Sequence, residues 1–168
     1  MEKLKMAVGW KLVLIVVVWL AVAWALGRLS GLDASFGTEL PIWMQVPGAA
    51  AILLGAAGVL SCGAMLSRLG IGTMSGRDRL LPNEFLVSGP FRFTRNPMSL
   101  AGVTLLVGIA LWNRSTLALG VALVAFALMQ LWVIRVEEPG LERRFGDGYR
   151  EYKRQVPRWI PRLSAARR

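Results

Sequence analysis

The sequence predicts an all-α integral membrane protein, and three observations carry that prediction. Of its 168 residues, 55% are hydrophobic and 18% charged, and the mean hydropathy is +0.51, a more apolar balance than soluble domains show. Four intervals between charged residues suit a bilayer-crossing helix, which needs about 20 mostly apolar residues. Eighteen of the twenty Lys and Arg flank those intervals on one side of a four-pass arrangement, so the net charge of +10 has a topological explanation.

The first interval, LVLIVVVWLAVAWALG between Lys11 and Arg28, extends back through Met6 to Trp10 if Lys11 snorkels to the surface, giving a span over 7–27. Lys3 and Lys5 resemble a signal-peptide start, but no small-x-small cleavage site follows, so the segment reads as a retained span. The second interval is apolar from Val46 to Leu66, a span over 46–66. It carries Ala51, Gly55, Gly58 and Cys62 at spacings of four, three and four, a small-residue stripe suited to close helix packing. Spans over 97–112 and 115–135 follow, separated only by Asn113, Arg114 and Ser115, which predicts a tight antiparallel hairpin. Trp10 and Trp132 fall at one proposed boundary and Trp43 and Trp112 at the other, as aromatic belts would. After the last span, Pro139 and Gly140 read as a helix break. Leu141, Phe145, Tyr149 and Tyr152 then recur on one face of an amphipathic helix lying in the headgroups, weakened by Gly146 and Gly148.

Three basic residues lie at or before Lys11, five between Arg68 and Arg95, and ten from Arg135 onward, leaving Arg28 and Arg114 outside. Both termini are therefore expected in the cytoplasm of a multi-pass protein, in the inner or plasma membrane of a prokaryote. A nucleic-acid partner loses its main support. The cytoplasmic loop 67–96 and tail 136–168 hold nearly all the polar chemistry.

The chain has no histidine, and its one cysteine, Cys62, sits in an apolar run. That excludes a disulfide framework, a Cys/His zinc site and Ser-His or Cys-His nucleophiles, and no metal is expected. Apart from Lys11 near an end, no span carries an ionisable residue, which argues against a small transporter. A noncatalytic membrane scaffold is the remaining alternative of a different class, and cofactor binding would discriminate it.

In the loop, Ser88, Gly89 and Pro90 form a turn, and Asn96 with Pro97 starts a helix. Its positive dipole end beside Arg92 and Arg95 suits a carboxylate or phosphate, or equally a lipid headgroup. Glu137 and Glu138 follow the last span, where the helix dipole disfavours them. Either an arginine such as Arg135 or a bound cation is expected to compensate.

The run Val87-Ser88-Gly89-Pro90-Phe91-Arg92-Phe93-Thr94-Arg95-Asn96-Pro97-Met98 is followed by Gly102, Glu137-Glu138, Leu141, Arg144-Phe145-Gly146, Tyr149, Tyr152, Val156-Pro157-Arg158 and Ile160-Pro161. This pattern resembles the isoprenylcysteine carboxyl methyltransferase and phospholipid methyltransferase superfamily over roughly the C-terminal half. The resemblance implies a membrane methyltransferase using S-adenosylmethionine, without metal, bound at the cytoplasmic ends of the last two spans under the tail. By position, Gly89, Arg95, Asn96, Pro97, Met98 and Gly102 belong to one wall of the cofactor site, and Glu137 and Glu138 to the other. Prenylcysteine enzymes usually have Arg-His-Pro where Arg95-Asn96-Pro97 stands, and Tyr at Ser99; Asn96 can donate a hydrogen bond there but is neither a cation nor a good proton acceptor, so this departure bears on the identity of the acceptor.

Charge complementarity points the same way, since that cofactor carries an ammonium, a carboxylate and a sulfonium. An acidic pair and an arginine-amide group answer the first two, and Phe91, Phe93 or Tyr149 could face the third. Methyl transfer needs orientation and desolvation rather than a covalent nucleophile. The acceptor is expected to be a membrane lipid or lipidated small molecule. Tyr149 with Arg144 and Arg158 would act on it, Arg154 lying nearby. An anionic carboxylate needs no base and is preferred, ahead of a phospholipid amine and then a thiol.

Overall fold

A computed structural model describes residues 21–22, 24–68 and 89–161, apart from the side chains of residues 66–68 and Arg144. Most of the expected first span, the loop 69–88 and the tail beyond 161 lie outside the described residues. Among the described residues all regular structure is helical. Residues 21–22 and 24–36 are helical (α1). A 3-10 turn, Ile42–Met44, leads into α2, Gln45–Arg68, and a second one, Gly89–Arg92, precedes α3, Pro97–Trp112. Helix α4, Thr116–Trp132, passes through a π-helical turn, Val133–Glu137, into α5, Glu138–Gln155.

Two stretches, Ile42–Met65 and Thr116–Arg143, are long and apolar enough to cross a membrane. Helix α3 is apolar but has 16 residues, about 24 Å of helix against a hydrocarbon core of about 30 Å. Leu53, Leu54 and Leu60 on α2 and Leu123, Val124 and Leu128 on α4 are each more than half exposed. In water such apolar surface would demand a partner; hydrocarbon satisfies it.

Helix α1 continues past the expected span to residue 36, and within it the Ser30 hydroxyl donates to the Gly27 carbonyl at 2.7 Å. One local expectation is corrected. Pro139 and Gly140 do not break the chain after the last span. They lie in the first turn of α5, and Thr116–Arg143 is one helical stretch. The π turn explains this. Its wider hydrogen-bonding pattern shifts the carbonyl that a proline ring would strike.

The described chain divides into two compact units. The first comprises residues up to Ala56 together with Val103–Leu123. Its core is Leu26, Ile109, Ala110 and Ala118, with Val22, Leu29, Ile52, Leu105, Leu106 and Leu119 packed around them. Helices α2 and α3 meet backbone to backbone: a Cβ added at Gly48 would lie 2.7 Å from the Trp112 nitrogen, and one at Gly108 2.6 Å from the Ile52 nitrogen. Arg114, at φ 55, is a left-handed cap on α3. Its N–H reaches the Leu111 carbonyl and that of Ser115 the Ala110 carbonyl, each at 3.0 Å. Ser115 opens α4, its Oγ accepting the Ala118 N–H at 2.9 Å. The buried Asp33 carboxylate accepts the Ser115 hydroxyl, the Thr38 hydroxyl at 2.8 Å and the Leu117 N–H at 3.3 Å. A negative charge at that helix start is favoured by the dipole.

The second unit comprises Ala57–Gly102 with the chain from Val124. The stripe Leu141, Phe145, Tyr149 and Tyr152 does share a face, and that face packs within the protein: Tyr149, Tyr152 and Val156 form a buried cluster, with Leu141 and Phe145 against it. Helix α5 kinks at Gly146, whose φ of 54 and ψ of −130 suit a residue without Cβ.

Candidate functional site

Within the second unit, three segments converge: the entry to α3, the first turn of α5 and the residues following α5. At the centre is Glu138, whose side chain is 7% exposed. Arg95 Nη1 donates to its Oε1 at 2.8 Å. Arg158 forks onto it, Nε to Oε1 at 2.7 Å and Nη2 to Oε2 at 2.8 Å. Such two-pronged, charge-assisted contacts are strong and directional. Glu138 lies where the π turn passes into α5 within one continuous helical stretch, so its charge is answered by these two guanidiniums and not by a free helix end. Among the described residues, the arginines that answer the Glu138 charge are Arg95 and Arg158 rather than Arg135.

The segment after α5 is fastened along the start of α3. The Arg95 N–H donates to the Pro157 carbonyl at 2.9 Å. The Thr94 hydroxyl and the Asn96 amide donate to the Arg158 carbonyl at 2.9 and 3.4 Å. Tyr152 donates its hydroxyl to the Phe91 carbonyl at 2.7 Å, and the Leu100 N–H reaches the Asn96 carbonyl at 2.9 Å, the opening bond of α3.

Tyr149 is 2% exposed. Burial and the neighbouring Glu138 charge push its phenol up to about 12, with Arg95 pulling the other way. Burial also raises Tyr152. Both are neutral at physiological pH. A raised folded-state value favours the protonated fold, so each contribution is complete below the ordinary value of 10.0; that of Tyr149 is lost as pH rises from about 10 to about 12, and that of Tyr152, raised further, persists to higher pH. Thermal stability in detergent should decline across that window, and Tyr149→Phe/Tyr152→Phe should flatten the decline. An equal slope in the double variant would refute it.

The structure thus brings Arg95, Asn96, Glu138, Tyr149 and Arg158 into one neighbourhood. Gly89 opens its 3-10 turn at φ 56, where a Cβ would strike the Met65 sulfur at 2.6 Å. Pro97, Met98 and Gly102 lie on α3, with Pro97 and Gly102 buried, and Glu137 closes the π turn, half-buried. Arg154 pairs outward with Glu151 at 3.1 Å. The side chain of Arg144 lies outside the described residues. Sequence reasoning missed the Thr94 anchor, the π turn and a contact between Gln130 and Trp159, where the indole N–H donates to the amide oxygen. A polar Gln130 within an apolar run was the available signal.

Comparison with known proteins gives the class. The family model described as phospholipid methyltransferase matches residues 44–148, a range holding both α3 and Glu138. The chain belongs to the phospholipid methyltransferase family. It is 34% identical over 94 residues to the cobalt-zinc-cadmium resistance protein CzcN of Cupriavidus metallidurans, covering 56% of this chain and 42% of that protein. It is 33% identical, with the same coverage, to the nickel-cobalt-cadmium resistance protein NccN of Alcaligenes xylosoxydans xylosoxydans. These matches span less than half the length of either relative. An uncharacterized protein of Haemophilus influenzae matches along its whole length, 41% identical over 64 residues, 38% of this chain. No solved structure matches the chain.

Proposed function

We propose that this protein is a multi-pass membrane methyltransferase that takes a methyl group from S-adenosylmethionine and places it on a lipid-like carboxylate. The observation that carries the reading is the cluster of Arg95 and Arg158 about the buried Glu138 in a chain of this family. The donor set fits the cofactor's amino-acid end. Buried Arg95 Nε has no hydrogen-bond partner, and Arg158 gives only part of its five-donor fork to Glu138. Both guanidiniums therefore have N–H groups for a carboxylate. The Glu138 oxygens accept three hydrogen bonds, leaving about one of their four lone-pair sites for an ammonium.

When bound, the cofactor supplies an electrophilic methyl group. The chain would hold its charged end, exclude water with the Tyr149 cluster and let an acceptor approach laterally from the bilayer. A protonated amine must lose a proton before attack, and the neighbourhood favours an acceptor that need not: Glu138 is committed to two guanidiniums, Tyr149 is neutral, and the chain has no histidine. A carboxylate is already anionic. The family description favours a second reading, N-methylation of a phospholipid amine.

The test incubates purified protein and methyl-labelled cofactor with a total lipid extract and with a prenylcysteine analogue. A label released by mild alkali is the expected outcome, since it marks an ester. A stable label on methylated ethanolamine would give the amine reading precedence. No cofactor binding by calorimetry and no label would remove the enzyme reading altogether.

Four spans with both termini cytoplasmic belong to the same proposal. In a background lacking Cys62, cysteines at Ser35 and Ser164 should label from opposite faces of the membrane. Labelling from one face would overturn the topology.

A further inference from the structure

Gln130 is a polar residue in the apolar helix α4, and nothing in the cofactor site described above uses it. Polar side chains in such helices carry a solvation cost and are retained where they have a partner or a task. Its partner is Trp159, whose indole N–H donates to the Gln130 side-chain oxygen. The Trp159 ring also stands edge-on to Phe126, centroids 5.2 Å apart at 66°. The adjoining Ile160 is 83% exposed, so this fixing is specific to Trp159.

Trp159 follows the residue that forks onto Glu138. On its other side, the Pro157 and Arg158 carbonyls are held by the Arg95 N–H and the Thr94 hydroxyl. The Arg158 side chain is 27% exposed, and restraining its backbone on both sides lowers the entropy lost when so long a side chain is held in a bidentate geometry. We propose that the Gln130 and Trp159 pair is a positioning device: it pins the segment after α5 so that Arg158 meets Glu138 and the Pro157 carbonyl meets the Arg95 amide. In this way it sets the affinity of the site for its donor. The donor arm of this inference rests on the methyltransferase reading; the backbone arm does not.

Two variants separate the parts. Gln130→Met keeps the length of the side chain and removes the acceptor, and Trp159→Phe keeps an aromatic ring against Phe126 and removes the N–H. Hydrogen exchange is followed at the Arg95 amide and, as a reference in the first unit, at the Ser115 to Leu119 amides. Calorimetry with S-adenosylmethionine gives the donor affinity. Both variants should speed exchange at Arg95 and raise the donor Kd, each by about tenfold, the effect of losing one hydrogen bond. The reference amides should not change, and Gln130→Glu, which restores an acceptor oxygen, should recover part of both effects. Unchanged exchange at Arg95 in both variants overturns the proposal. So does equal acceleration in the reference amides, which would mark general destabilisation, and so does faster exchange at Arg95 with an unaltered donor Kd. A parent protein that binds no donor refutes the methyltransferase reading and the donor arm together, while the exchange at Arg95 still decides whether the pair pins the segment.

Discussion

Replacing Glu138 by alanine is expected to be among the most damaging single substitutions outside the apolar core, costing about 3–5 kcal/mol, the range for removing one member of a buried ion pair. The carboxylate serves two cations at once. Without it, Arg95, with a side chain 11% exposed, loses its ion-pair partner in a poorly solvated place, and the Arg158 fork has nothing to close on. The reverse change should cost less. Arg158→Ala leaves Glu138 its Arg95 contact at 2.8 Å, and the Arg158 side chain is already 27% exposed. The order of loss is therefore Glu138→Ala, then Arg95→Ala, then Arg158→Ala, measured by thermal or denaturant unfolding in one detergent. A cycle of Glu138→Gln with Arg95→Met should show coupling of about 1–3 kcal/mol, because the two groups share a hydrogen bond. Unfolding of Glu138→Ala at the parent midpoint would mean that the cluster does not form as described. Donor binding should fall with stability in this series, in contrast to substitutions in the first unit.

How much of this was legible beforehand depends on how local the physics is. Apolar length is local, and the sequence predicted α2 to within a residue or two of where it lies. The stripe Leu141, Phe145, Tyr149 and Tyr152 was legible as a shared face, since periodicity alone defines a face. Its partner was not, because hydropathy does not distinguish lipid from a neighbouring helix start; the face is buried in protein. Pro139 and Gly140 carry strong breaker propensities, and a π turn that accommodates them has no residue signature of its own. The ion cluster is nonlocal. Arg95 lies 43 positions and Arg158 20 positions from Glu138, and only the family resemblance placed the two segments at one site. Even then it suggested opposing walls for a ligand's two charges, whereas the walls also pair with each other.

The small-residue stripe shows the same division and leads to the second large effect. The spacing of Ala51, Gly55, Gly58 and Cys62 predicts a packing surface. Cys62 is buried, and a Cβ on Gly58 would lie 2.7 Å from the Ala101 Cβ. The backbone contacts, however, are at Gly48 and Gly108, which no spacing rule singled out. A Cβ on Gly108 would meet the Ile52 nitrogen at 2.6 Å and the Ala51 carbonyl carbon at 2.9 Å, and one on Gly48 the Trp112 nitrogen at 2.7 Å. These neighbours are main-chain atoms inside helices, so they cannot rotate away as a side chain would. Gly108→Ala should cost about 1–3 kcal/mol, the usual range for overpacking, and Gly108→Leu more. Because helix contacts in lipid rest on close van der Waals packing rather than hydrophobic expulsion, separating α2 from α3 removes much of what holds them. The two sites share one crossing, so the pair Gly48→Ala/Gly108→Ala should cost less than the two single changes added together: once one methyl has parted the helices, the other meets little resistance. Gly120 is the internal control. It lies in α4 with nothing within 4 Å of an added Cβ, and Gly120→Ala should stabilise by about 0.5–1 kcal/mol through helix propensity alone. Should Gly108→Ala unfold no earlier than the parent while Gly120→Ala gains its increment, the close crossing of α2 and α3 would be wrong.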